Sequence, residues 1–230
     1  MRLASLAGVM LVTCLAPSGA GAQNYPVKPV RIVVPFAPGG PNDILARVIG
    51  QKLTETWGQQ VIAENRPGGG TVIGTDIVVK SPPDGYTLLM VSPSHTTNPS
   101  LRKLPFDTLR DLALVVFVAH SPNVLLAHPS LPARSVRDLL ALAKSRPDQI
   151  TFSSGGNGTS THLGGELLSQ MGQVKMVHVP YKGGAPALTA VISGEVTWLF
   201  GNAIPSVPHI KAGRLRALAV IAARRNPALP

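Results

Sequence analysis

Apolar residues alternate between two spacings along this chain. Arg31–Phe36 is a short, β-branched run and predicts a buried strand. Ala37–Pro41 carries two prolines and two glycines and predicts a loop. Asn42 is then expected to cap a helix. Asp43 falls in its first turn, and Ile44, Leu45, Val48, Ile49, Leu53 and Trp57 recur at helical spacing up to Gly58. Gln60–Glu64 and Tyr86–Ser92 predict strands on either side of a helix over Thr71–Lys80, which gives β-α-β-α-β and a parallel sheet.

Ser92–Asp111 is polar, broken by prolines, and reads as a crossing segment. Leu112–Ala119 and Asn123–Ala127 read as strands. Ser135, with Asp138 three residues on, predicts a capped helix. The later pattern is strand Ile150–Ser153, helix Thr159–Met171, strand Lys175–Pro180, helix Ala185–Ile192, strand Val196–Phe200, short helix Ser206–Lys211 and strand Arg216–Ala222. Helices and strands alternate throughout, so the fold class is α/β.

The unit strand, Gly loop, helix occurs at Arg31–Leu53 and again at Ile150–Met171. One unit per lobe would place two helix N-termini across a cleft. The first amides of a helix lack internal partners, and its dipole favours negative charge there, so such a cleft suits a small anion. The richer unit is Ser153-Ser154-Gly155-Gly156-Asn157-Gly158-Thr159-Ser160-Thr161-His162, which offers more donors than a cap needs. Capping alone uses one or two of them, and both uses stay open at this point.

Of the 230 residues, 44% are hydrophobic and 14% charged, which supports a sizeable core and argues against disorder. The formal charge of +10 is scattered, with no basic run interleaved with aromatics, so no nucleic-acid partner is expected. Arg2, the apolar Leu3–Leu15 and Ala20-Gly21-Ala22 form a signal-peptide pattern over residues 1–22, with the mature chain expected from Gln23. That apolar stretch is too short to span a bilayer. Thr13 before Cys14 fits a lipidation signal poorly. Cys14 is the only cysteine, so no disulfide or cysteine nucleophile is expected in the mature chain.

There is no phosphate loop ending in Gly-Lys-Ser/Thr, no G-x-G-x-x-G at Gly68–Gly74, no G-x-S-x-G elbow and no paired-His motif. No cofactor or metal is expected. His178, in an apolar strand, reads as a core histidine. Asp43, His162 and Glu166 are the groups an enzyme would use, yet Asp43 and Glu166 read more simply as caps or loop braces.

These residues carry a family resemblance. P-F-A-P-G-G-P-N-D-I-L-A-R (35–47), E-N-R-P-G-G-G-T-V-I-G (64–74), P-D-G-Y-T-L-L (83–89), N-P-S-L (98–101), L-P-F-D (104–107), G-N-G-T-S-T-H-L-G-G-E-L (156–167), H-V-P-Y-K-G (178–183), P-A-L (186–188) and K-A-G-R-L-R-A-L-A-V (211–220) follow in order. The chain resembles the Bug receptors, extracytoplasmic solute-binding proteins of tripartite tricarboxylate transporters. The resemblance implies a two-lobed, type II periplasmic-binding-protein fold that closes on a small carboxylate, without catalysis. It places the protein in the periplasm as a monomer, with the transporter's membrane subunits as partners. A sensor signalling to a membrane partner, or an α/β enzyme acting on a carboxylate, are the alternatives.

The implied layout is lobe one over 23–100, lobe two over 101–205 and a return towards lobe one over 206–230. Phe36, Ala37, Gly40, Pro41, Asn42 and Asp43 would line one wall of the cleft. Ser154, Gly155, Gly158, Thr159, Ser160, Thr161 and His162 would line the other, with Asn202 at a strand end. The chain departs from the family at three points. Family chains continue past Pro230, which implies that lobe one is incomplete here. Gly201 stands where aspartate is common. Gly164 stands where alanine is usual, at about 1 kcal/mol of helix stability.

Overall fold

The computed structural model describes residues 24–223, so the expected signal peptide lies outside the described residues. The first body is a three-stranded sheet, with β1 (Val30–Val34) between β2 (Val61–Asn65) and β3 (Thr87–Leu89), all parallel. Helix α1 (Pro41–Trp57) links β1 to β2, and α2 (Val72–Val79) links β2 to β3. This is the expected β-α-β-α-β unit. Val30, Val33 and Val34 are fully buried at its centre, as a β-branched run between two covered faces demands.

The second body is a five-stranded sheet in the order β6-β5-β7-β4-β8. Its strands are β4 (Asn123–Ala127), β5 (Thr151–Ser154), β6 (Val177–Pro180), β7 (Trp198–Asn202) and β8 (Arg216–Val220). β5 runs parallel to β6 and β7, while β4 is antiparallel to β7 and β8. Helices α4 (Val136–Ser145), α5 (Ser160–Gly172), α6 (Gly184–Ile192) and α7 (Ala203–Lys211) pack around it. Phe152 and Trp198 stack at 5.1 Å, both wholly buried, and each contributes on the order of 1.5–3 kcal/mol through area removed from water. Helix α4 begins as its sequence predicts: Ser135 Oγ accepts the Asp138 N–H at 3.1 Å, and Asp138 accepts the Arg134 N–H at 2.9 Å.

Four expectations change. Asn42 does not cap α1. The cap is Gly40 and Pro41 is the first helical residue, where its fixed φ and missing N–H are harmless. Ser92–Asp111 is more than a crossing segment, because Ser94–Leu101 forms a helix, α3, despite Pro99. Its weak propensity is overridden by side-chain bonds to neighbouring loops: Asn98 Nδ2 to Gly70 O at 2.8 Å and Thr97 Oγ1 to Gly158 O at 2.8 Å. Leu112–Ala119 is not a strand. Leu114, Val115 and Phe117 are 96%, 79% and 80% exposed, and no neighbouring strand gives the run a ladder. Finally, the expected return over 206–230 does not leave the second sheet by Val220, since β8 pairs with β4 along Val124–Ala127.

Candidate functional site

A cavity of about 710 Å3 opens between the two sheets. It receives Phe36, Gly40, Pro41 and Asn42 from the first body, and Gly155, Thr159, Ser160, Thr161 and Asn202 from the second. The two strand–loop–helix units therefore meet at one space. Two seams join the bodies beside it. Ala37 N–H donates to Lys182 O at 2.8 Å, and Arg102 spans from Gly69 O at 2.8 Å to Asn157 O at 3.2 Å.

Among the described residues, none on the cavity wall is Lys, Arg, Asp or Glu, and His120 is the one ionisable side chain there. The wall instead gathers helix beginnings. Pro41 and Asn42 open α1, Ser160 and Thr161 open α5, Gly184 opens α6, and Ile204 to Ser206 belong to the first turn of α7; Pro93 precedes α3. The starts of α1, α5 and α6 carry unpaired amides and a partial positive charge, whereas the first amides of α3 bond Ser92 and Pro93 and the Ile204 N–H of α7 bonds Asn202 Oδ1. Several together make a field for an anion without any cationic side chain.

Local chemistry decides which polar groups stay available. Thr159 caps α5: its Oγ1 donates to Gly156 O at 2.7 Å and accepts the His162 N–H at 3.4 Å. Thr161 Oγ1 accepts the Gly155 N–H at 3.0 Å and lies 3.0 Å from Thr159 Oγ1. Both hydroxyls are therefore engaged within the loop. Ser160 Oγ accepts from Asn123 Nδ2 at 3.3 Å and keeps its proton to donate. Asn202 Oδ1 accepts from Ile204 N–H and from Ser121 Oγ, each at 3.1 Å, which leaves its amide NH2 as a donor. Gly201 also lines the cavity. A Cβ there would meet Leu126 Cδ1 at 2.7 Å, so an aspartate requires a different packing beneath β7.

Five residues expected in the cleft lie off its wall. Ala37 is engaged with Lys182. Asp43 is 3% exposed and braces its own loop, accepting the Gly39 N–H at 2.8 Å, Arg47 Nε at 3.0 Å and Asn65 Nδ2 at 2.9 Å. Burial raises its pKa, but the bonds from Arg47, Gly39 and Asn65 and the Arg47 charge outweigh that and hold it below the usual carboxylate value. Gly158 O is the acceptor for Thr97. Ser154 Oγ sits 2.6 Å from His178 Nε2 and accepts the Gly156 N–H at 3.1 Å. His162 packs its ring 4.2 Å from that of His178, and its Nδ1 accepts the Gly158 N–H at 3.2 Å.

His178 is thus no simple core histidine. Desolvation, then the nearby His162, lowers its pKa to about 4, which keeps the ring neutral at physiological pH. His162, Glu166 and His178 bring ligand-type atoms within 4.8 Å of one another. The two rings are already held by the Ser154–Gly158 loop, so they serve first as its scaffold. The spacing of His162 and His178 in the sequence gave no sign of this contact. Equally missed were Gly184 and the start of α7, whose ordinary helix-start residues carry no motif.

The comparisons with known proteins agree with this fold. Residues 45–230 match the model of the tripartite tricarboxylate transporter family receptor. Protein BugT of Bordetella pertussis is 37% identical over 235 residues, spanning 100% of this chain and 72% of that protein. The solved structure of periplasmic binding protein BugD superposes with a TM-score of 0.84 at 33% identity, covering 88% of this chain and 68% of that one. R. palustris Rpa4515 with adipate superposes at 0.82 with 37% identity, covering 87% and 68%. The α/β architecture described above is shared with both solved structures, and BugD is a periplasmic binding protein. The chain belongs to the tripartite tricarboxylate transporter receptor family, the Bug solute-binding proteins.

Proposed function

We propose that this chain is a periplasmic solute receptor that captures a small carboxylate between its two bodies and delivers it to the membrane subunits of a tripartite tricarboxylate transporter. The observation that carries the reading is a cavity without charged walls on which several helix N-termini converge. Each terminus contributes roughly 0.3–1 kcal/mol towards a nearby anion, and up to about 2 where partly buried. Adipate in the R. palustris neighbour supports the class of ligand.

The residues an enzyme would need do not converge on the cavity. Asp43 is locked in its loop and His162 faces His178. Glu166 is half exposed, 3.6 Å from His162 on the same helix face. The receptor therefore acts without turnover. Native mass spectrometry of the purified protein tests this: an intact acid should be carried over and released unchanged. Recovery of a chemically altered product after incubation with the acid would refute the reading.

A further inference from the structure

We propose that the ligand bears a single carboxylate on an apolar body, and that this chain discriminates against small hydroxylated di- and tricarboxylates. This rests on the carboxylate reading above and narrows it. The argument follows which donors remain free.

Asn123 and Asn202 stand opposite each other in the β4–β7 ladder, and Asn123 reaches Ser160 at 3.3 Å. The free donors on the cavity wall therefore gather around the α5 loop: the Ser160 hydroxyl, the Asn202 amide, the first amides of α5, the Gly184 N–H of α6, which borders Gly155 of that loop, and the His120 ring, whose neighbour Ser121 bonds Asn202; α7 adds no amide, because Asn202 Oδ1 takes the Ile204 N–H and Pro205 has none. That is one seat, and its donors suit the two oxygens of one carboxylate. The wall's other hydroxyls and its Asn42 amide are engaged by the protein. Thr159 and Thr161 hold the α5 loop, and Ser206 Oγ donates to Asn202 O at 2.6 Å. Ser92 pairs with Ser94 at 2.8 Å, Thr96 donates to Pro93 O at 2.8 Å, and Asn42 Nδ2 donates to Val91 O at 3.0 Å.

The opposite wall offers no second seat. Helix α1 begins there, but the buried carboxylate of Asp43 already sits in its first turn, bonded back to the Gly39 N–H. That charge complements the helix end and repels a second anion. Between the two walls the ligand meets Phe36, Met90, Leu188, Leu199, Phe200 and Ile204. A second carboxylate laid against these groups loses water and gains no partner, a penalty of several kcal/mol per ion. A ring or alkyl chain laid there is favoured by burial. The volume of about 710 Å3 lies within the range of sites that take ligands larger than a four-carbon acid.

Calorimetry at pH 8 with benzoate, phenylacetate, hexanoate, adipate, malate and citrate, with benzamide as the uncharged control, tests the proposal. The tightest of the three monocarboxylates should bind at least tenfold more tightly than malate or citrate and more tightly than adipate. Ser160→Ala should weaken it about tenfold with little change in melting temperature, because Ser160 is not the cap of α5. Ile204→Ser, on the apolar wall, should weaken monocarboxylates and leave malate unchanged. A diacid or citrate as the tightest ligand overturns this inference and leaves the carboxylate reading standing. Benzamide bound as tightly as benzoate, or no binding by any acid, overturns both.

Discussion

Asp43 offers the sharpest test of how the loop at the cavity is held. Asp43→Asn keeps size and removes charge. The carboxylate now accepts from Gly39 N–H, Arg47 Nε and Asn65 Nδ2, and Asn65 in turn donates to Phe36 O at 3.1 Å. The side chain thus ties the end of β1, the Gly-Pro loop and the first turn of α1 into one unit. The Arg47 arm is about half exposed, and its share is at most about 1 kcal/mol. The other two donors bond a carboxylate that is itself 3% exposed, and a hydrogen bond to a charged acceptor contributes about 1.5–3 kcal/mol. Asparagine keeps one acceptor oxygen and turns an NH2 towards a donor it cannot satisfy. The net loss works out at about 2–3 kcal/mol.

For a chain of this size that is a fall of roughly 5–10 °C in melting temperature. The pH arm has a definite sign. Asp43's folded pKa lies below its ordinary value, so its contribution is complete above about pH 4, the ordinary aspartate value, and is lost as pH falls through the folded value. Urea melts of parent and variant between pH 7 and pH 3 should therefore converge as the solution is acidified. A variant that melts within a degree of the parent at pH 7, or whose gap from it stays constant to pH 3, refutes the reasoning.

Two further outcomes follow from the packing around α5. Gly165→Ala should destabilise by about 1–3 kcal/mol despite alanine's better helix propensity. Its Cβ would lie 2.2 Å from Phe152 Cε2, in a ring held between His178 and Trp198, and a urea midpoint equal to the parent's would disprove the clash. His178 should make the protein lose stability as pH drops from about 6.5 towards 4, because the unfolded chain takes up a proton that the folded ring refuses. The slope over that window should flatten in His178→Phe, and an unchanged slope would exclude His178 as its source.

The fold was readable wherever local signals and tertiary packing agree. The valines of β1, the Ser135 cap and Gly58 in the left-handed conformation at φ 67° each carry their own instruction, and the chain follows them. The sequence misled where the instruction is not local. Ser94–Leu101 has the composition of a loop and a proline inside it, and it is helical because Gly70 and Gly158 accept its side chains. Leu112–Ala119 has the composition of a strand, but a strand exists only beside a partner. Arg216–Val220 was recognisable as a strand, yet its sheet could not be assigned without knowing that β4 runs antiparallel to it.

The site divides in the same way. Glycines and hydroxyls at 154–162 mark a special loop, but sequence cannot say which of them the loop itself consumes. Thr159 and Thr161 look like ligands, and their hydroxyls are engaged within the loop, whereas Ser160 between them keeps a proton to donate. His162 looks like a ligand and instead packs on His178, sixteen positions away, under the loop it supports. The groups proposed to attract an anion are backbone amides at helix starts, and any residue but proline supplies one. A cleft built this way has no cationic signature for a motif to capture. On the proposed reading its selectivity comes from what the side chains withhold, a second seat for charge. The one buried carboxylate near the cavity, Asp43, faces its own loop, and on the wall it would repel the carboxylate proposed as solute.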